Sequence, residues 1–177
     1  MAGPTNTGLT PHDRHESVRV RRARIEEIRD LAREYGQEAA NLSWYKRASP
    51  DPIPEGGIFW IAEDAGGRAE GRAGGEEADE EALGYAAGSL RAEGLTVGPV
   101  YVRPAVRRRG VGQELLQAIQ GWAEETGLPV VEVSVAAGNE AGRSFLESAG
   151  YVPRRILFSY ASGREGGRAS LIDDLEW

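Results

Sequence analysis

Residues 95–102, LTVGPVYV, constrain the fold more than any other stretch: an apolar, β-branched run is broken in its middle by Gly98-Pro99. Valine, threonine and tyrosine at this density suit a strand. Proline lacks the N–H that a ladder needs, so a bulge or local opening belongs at that point. A helical pattern follows from Val111 to Thr126, with Val111, Leu115, Ile119 and Trp122 on one face and Gly127 as its stop. The next apolar run, PVVEVSV at 129–135, is again a strand. Two strands joined through a helix run parallel, through a crossover.

Upstream, SVRVRRAR (17–24) alternates as a half-buried strand does, and Ile25, Ile28, Leu31 and Tyr35 then recur at helical spacing up to a C-cap glycine at Gly36. EAANLSWYKRA (38–48) is expected to form a second helix, ended by the prolines and glycines of SPDPIPEGG (49–57). IFWIAED (58–64) and ALGYAAGSLR (82–91) are hairpin-linked strands. Near the C-terminus, Asn139 serves as N-cap of a helix with Ala141, Phe145 and Ala149 as its buried stripe and Gly150 as its stop; PRRILFSYA (153–161) closes with a strand. The order β-α-α-β-β-β-α-β-α-β predicts an α/β (α+β) domain, a mixed sheet with helices on both faces.

A chain of 177 residues supports one domain, placed at 18–160. Residues 1–17 form a polar tail that contains both histidines, His12 and His15, and 161–177 a C-terminal segment. The glycine, alanine and charge of 65–81 bury too little apolar surface to offset their ordering entropy, which predicts a mobile loop. With no cysteine, disulfides, thiolate metal sites and a cysteine nucleophile are excluded, and no metal is expected. The net charge of −7 argues against nucleic acid and tilts towards cationic partners. No apolar run nears the roughly 18 residues of a membrane span, and no secretory segment is evident, so a cytoplasmic protein is expected.

RRRGVG (107–112) stands between a strand and a helix start. Backbone N–H groups there lack intrahelical acceptors and carry the positive end of the helix dipole. Gly110 and Gly112 let an anion approach the backbone, and the arginines add charge. A plain basic turn explains the same residues equally well. A dinucleotide fingerprint fails because Leu115 occupies its third glycine position, and a P-loop fails for want of G-K-[ST].

The pattern R-x-x-G-x-G (Arg107, Gly110, Gly112), following a V-x-V-x-P strand end, with Asn139 heading a helix that ends in AGY, resembles the GCN5-related N-acetyltransferase (GNAT) superfamily. The resemblance covers 18–160 in element order and is specific from Val100 to Tyr151. It implies a mostly antiparallel sheet of six to seven strands whose fourth and fifth strands are parallel but splayed, and acetyl-CoA as co-substrate. The pantetheine arm would bond the backbone of Val100, Tyr101 and Val102. The pyrophosphate would sit on the N–H groups of Arg108, Arg109, Gly110, Val111, Gly112 and Gln113 in the loop that Arg107 opens, with Asn139 helping to hold the cofactor arm. Tyr151 matches an aromatic that packs in the core. The implied reaction is direct attack by a primary amine in a ternary complex, with the Val102 N–H as oxyanion donor. A small-molecule acceptor is favoured over a protein, and the oligomeric state stays open, a homodimer included.

The chain departs from the family at two positions. Many members carry a tyrosine as general acid where Leu146 stands, and some carry a glutamate as base where Ser134 stands. A positioned acid or base contributes roughly 10²- to 10⁴-fold, so these losses matter. Glu132 is the candidate substitute base: on a strand it shares the face of Ser134, opposite Val131, Val133 and Val135, although a partly exposed strand face without chemistry explains the same pattern. Glu63, Glu93, Tyr85 and Tyr101 are further candidates that spacing does not rank, and Trp44 and Tyr45 either pack in the core or wall the acceptor pocket. Leu146 and Ser134 also motivate an alternative, a non-catalytic acyl-CoA-binding regulatory module. A nucleotide-binding domain predicts protection by a dinucleotide and not by CoA.

Overall fold

The computed structural model describes residues 18–42, 51–67 and 81–156. The tail 1–17, Trp44 and Tyr45, most of the loop 65–81, and 157–177 lie outside the described residues. Two units result from the pattern of contacts, Met1–Asn139 and Glu140–Trp177.

The first unit holds a five-stranded sheet in the order β1 (Val18–Ala23), β2 (Ile58–Asp64), β3 (Ala82–Arg91), β4 (Gly94–Val102), β5 (Val131–Val133). Neighbours among β1 to β4 are antiparallel, whereas β4 and β5 are parallel. Helix α1 (Ile25–Leu42) follows β1 and α2 (Val111–Glu125) connects β4 to β5. Ile28, Leu31 and Ala32 of α1 pack with Phe59, Ile61, Tyr85 and Tyr101 on one face of the sheet. Val111, Leu115 and Ile119 of α2 pack with Trp60, Ala62, Leu95 and Val97 on the other. Covered on both faces, β2 buries every residue from Phe59 to Glu63, which is why IFWIA is a continuous apolar run.

Glu63, only 5% exposed, is the exception in that run. Arg21 on β1 holds it in a two-pronged ion pair, Nε to Oε2 at 2.9 Å and Nη2 to Oε1 at 2.6 Å. Nη1 of Arg21 also reaches Glu27 Oε1 at 2.8 Å, and Glu27 Oε2 accepts the Arg24 N–H at 2.6 Å, closing one half of a capping box at the start of α1. This pair makes Glu63 a structural anion.

The helix does not stop at Gly36. A single α1 of 18 residues runs through it into the first residues of the expected second helix, whose remainder, 43–48, lies outside the described residues. An interior glycine costs about 1 kcal/mol relative to alanine; the buried face continues past it to Ala39, 7% exposed, and offsets that cost. By contrast, α2 ends where expected. Gly127 takes a φ of 70° and donates to Glu124 O at 3.1 Å, while Leu128 donates to Ala123 O at 2.8 Å, a Schellman closure. Trp122 is half-buried, edge-on to Trp60 at 5.6 Å, with the Arg22 guanidinium 5.2 Å from each ring.

In the second unit, α3 (Glu140–Ser148) closes in the same way, with Tyr151 donating to Leu146 O at 3.0 Å and Gly150 to Glu147 O at 3.1 Å. Phe145 and Ala149 are half-buried and Ala141 is exposed, so the stripe read as buried is only partly so. Residues 153–156 form no strand, and Val152 and Ile156 stand 77% and 82% exposed. The remainder of the expected strand, 157–161, lies outside the described residues. Among the described residues, no helix is long and apolar enough to cross a membrane.

Candidate active site

The register of β4 places a bulge where the Gly-Pro pair predicts one. Gly88 opposes Val97 and Ala86 opposes Val100, so β4 spends one residue more than β3 across Gly98-Pro99. Before the bulge the backbone of Leu95 and Val97 faces β5, with Leu95 N–H on Val130 O at 2.9 Å and Ser134 N–H on Val97 O at 3.0 Å. After it the alternation is inverted. Arg103 N–H donates to Leu83 O at 2.9 Å, so the backbone of Tyr101 and Arg103 faces β3, and that of Val100 and Val102 turns to the β5 side. β5 pairs only with Leu95, Thr96 and Val97, and is shorter than the 129–135 run because β4 leaves it there. Val100 and Val102 thus present N–H groups to an edge that no described strand covers. Tyr101 does not share that edge; its ring lies in the α1-side core.

Past Val102 a short 3-10 turn, Pro104–Val106, leads into the RRRGVG loop. Arg108 has a φ of 66° and Gly110 a φ of 87°, on either side of Arg109. Alternating signs of φ turn successive N–H groups towards one side, as in an anion-binding nest. The N–H groups of 108–112 have no acceptor among the described residues, while Gln113 N–H is already on Gly110 O at 2.8 Å. These donors open directly into α2, whose dipole adds positive potential. Arg108 and Arg109 are exposed and form no ion pair among the described residues.

Arg107 is engaged elsewhere. Its Nε donates to Val102 O at 2.9 Å, its Nη2 to Glu38 Oε2 at 2.6 Å, and its guanidinium lies 5.8 Å from the Tyr101 ring centre. One turn earlier on α1, Glu34 takes Arg103 in a two-pronged pair at 3.2 and 3.0 Å and accepts the Tyr101 hydroxyl at 3.3 Å. The bond to Glu34 holds Arg103 above its usual pKa, and burial raises Tyr101, with Glu34 and Glu38 adding to it. Tyr35, Tyr85 and Tyr101 meet with ring centres 6.1 to 6.4 Å apart. Glu34, Glu38 and Arg103 escaped the sequence reading. The signal was a pair of glutamates four apart on one helix and a pair of arginines four apart in a turn, yet 69 positions separate the partners.

The other candidates are scattered. Glu132 lies half-buried opposite Thr96, in the paired stretch of β5; its neighbours Val131 and Val133 pack on the α2 side, which puts Glu132 on the other face. Asn139 is half-buried and its N–H closes a turn on Ala136 O at 2.9 Å. Tyr85 is fully buried with its hydroxyl on Pro52 O at 3.2 Å, and Glu93 is exposed in the β3–β4 turn. A shallow concavity lined by Arg24, Ile25, Asp51 and Phe59 shares no residue with the open edge.

An open edge after a bulged strand, followed by a donor-rich loop and a helix start, suits a long ligand with an anionic segment. The acetyltransferase (GNAT) family profile matches residues 25–151, which contain all of these elements. The chain belongs to the GNAT family. As a member it is an N-acetyltransferase. No curated protein matches it in sequence. Among solved structures, an aminoglycoside N-acetyltransferase AAC(6')-Iy in complex with CoA is similar at 18% identity and a TM-score of 0.54, over 82% of this chain and 100% of that one. The same enzyme with a bisubstrate analogue, CoA-S-monomethyl-acetylneamine, gives 16% and 0.53 over 82% and 99%. A putative acetyl transferase from Pyrococcus furiosus gives 16% and 0.58 over 81% and 99%. At these identities the likeness is one of fold.

Proposed function

We propose that this GNAT member transfers the acetyl group of acetyl-CoA to a primary amine of a small cationic molecule, by direct attack within a ternary complex. The observation that carries the proposal is the edge of Val100 and Val102, which no described strand covers, leading into the N–H groups of 108–112, which have no acceptor among the described residues. The pantetheine arm would lie along that edge as a surrogate strand. The pyrophosphate would sit over the loop and the start of α2, neutralised by Arg108 and Arg109. Asn139 would hold the arm further along. Similar proteins solved with CoA and with a CoA–aminoglycoside conjugate support both donor and acceptor class, as does the acidic balance of the chain.

In this reading the thioester oxygen rests on the Val102 N–H, which strengthens its bond as charge develops on that oxygen. The amine must arrive neutral, although a free alkylamine has a pKa near 10.4. Glu132, or water it orients, takes the proton. The new C–N bond forms, the nitrogen gives up its second proton to solvent, the C–S bond breaks, and CoA leaves as thiolate and takes a proton from solvent, Leu146 offering no acid.

The test is CoA binding by calorimetry together with thiol release from acetyl-CoA across a panel of amines. Wild type should bind CoA and turn over at least one amine, and the Arg108→Glu/Arg109→Glu double variant should stay folded and lose about 10-fold or more in CoA affinity. Unchanged affinity would remove the loop from the site. Glu132→Gln should slow turnover, with the difference from wild type shrinking as rising pH neutralises the amine by itself; an unaltered profile dismisses it as base. Tight CoA binding with no turnover for any amine would favour the regulatory-module reading that Leu146 and Ser134 motivate.

A further inference from the structure

We propose that Arg107 is a positioning residue, held by Glu38, that sets the polarity of the open β4 edge and ties it to α1, rather than a ligand of the pyrophosphate. The inference rests on the donor-site reading above. Val102 turns both its N–H and its carbonyl to the same side of β4. A bare carbonyl there would face the oxygen that gains negative charge during acyl transfer, and would repel it. The Nε–H of Arg107 caps that carbonyl at 2.9 Å, leaving the Val102 N–H as the group on offer. Its second edge is bound to Glu38 at 2.6 Å and its face lies over Tyr101. Contacts to a strand end, a helix and a ring fix the side chain, and its charge is matched locally by a carboxylate. Arg108 and Arg109, next in the chain, have no such partner among the described residues. The three arginines therefore divide their work: two provide free charge to the loop, and one holds the geometry of the edge.

This arrangement makes a prediction of sign. Electrostatics alone says that removing the Glu38 carboxylate should tighten binding of anionic CoA. The latch says that Glu38→Ala should loosen it, because Arg107 is then free to leave Val102. Calorimetry with CoA at several salt concentrations is the experiment, on wild type, Arg107→Gln, Glu38→Ala and the double variant. Each single change should weaken CoA by about 2- to 10-fold, the scale of one hydrogen bond. The double variant should be no weaker than Arg107→Gln. The salt dependence should match wild type for Arg107→Gln and flatten for Arg108→Gln, since only a phosphate contact reduces counterion release. A flattened slope for Arg107→Gln, or tighter binding by Glu38→Ala, would overturn the proposal in favour of direct phosphate contact. Denaturant unfolding of the same four proteins is read independently of any ligand: non-additive loss supports the Arg107–Glu38 tie, and additive loss refutes it. A wild type that ignores CoA would refute the donor site, leaving the unfolding cycle to judge the latch.

Discussion

Gly84→Ala is the substitution that probes the open edge from behind. Gly84 on β3 lies opposite Val102, in a pair whose backbone groups point away from each other and whose Cα atoms therefore approach closely. A Cβ at this position would run into the Tyr101 carbonyl oxygen, well inside the 3.0 Å that real Cβ atoms keep, and would lie 3.2 Å from the Val102 Cα. The obstacle is backbone, so no side-chain rotation relieves it, and β4 must move away from β3. Overpacking of this kind costs about 1–3 kcal/mol. For a chain of this size that corresponds to a melting temperature lower by roughly 2–12 °C. The displaced strand end carries the Val102 N–H, so CoA affinity should also fall, by about 2- to 10-fold for one misplaced hydrogen bond. Gly121→Ala is the control: a Cβ there meets nothing within 4 Å, and in the interior of α2 it should stabilise by about 0.5–1 kcal/mol. Urea unfolding and CoA calorimetry on the two variants measure both effects. A Gly84→Ala protein as stable as wild type, with unchanged CoA affinity, would refute the close-approach argument.

Gly36→Ala should raise stability by about 0.5–1 kcal/mol, because the position is mid-helix and the added carbon would sit at an ordinary 3.7 Å from Pro52 Cγ; urea midpoints decide it. Burial raises Tyr35 to about 12 and lifts Tyr85 as well, so the native chain keeps phenolic protons that the unfolded chain loses from about pH 10. The native state then binds more protons, and stability should fall as pH rises from about 10 to about 12. Unfolding at stepped pH should show a shallower decline for Tyr35→Phe.

The parts of the fold legible in the sequence are those decided locally. Gly127 and Gly150 end their helices as read, and Pro99 marks the bulge because a missing donor acts at its own position. Gly36 shows the complementary case: a glycine after a helical run signals a stop unless packing beyond it carries the helix on, and the burial of Ala39, one turn later, is not visible in the local pattern. The loop arginines show the same divide within the site. Spacing marks 107–112 as candidates, whereas the ion pair of Arg107 depends on Glu38, which only the placement of α1 against β4 brings within reach. Likewise Glu63, a plausible base by composition, is committed to Arg21 across two strands.

The bulge at Gly98-Pro99 gives Val100 and Val102 two unrelated settings, since their side chains join the α2-side core while their main chain faces the edge that no described strand covers. A conventional alanine scan would therefore be blind to the main-chain role proposed for them, reporting only loss of packing. It also follows that drift among valine, isoleucine and leucine at these positions leaves the donor row intact, so relatives can diverge widely in sequence and keep it. Backbone chemistry, such as an amide-to-ester exchange that deletes a single N–H, is the tool that separates the two.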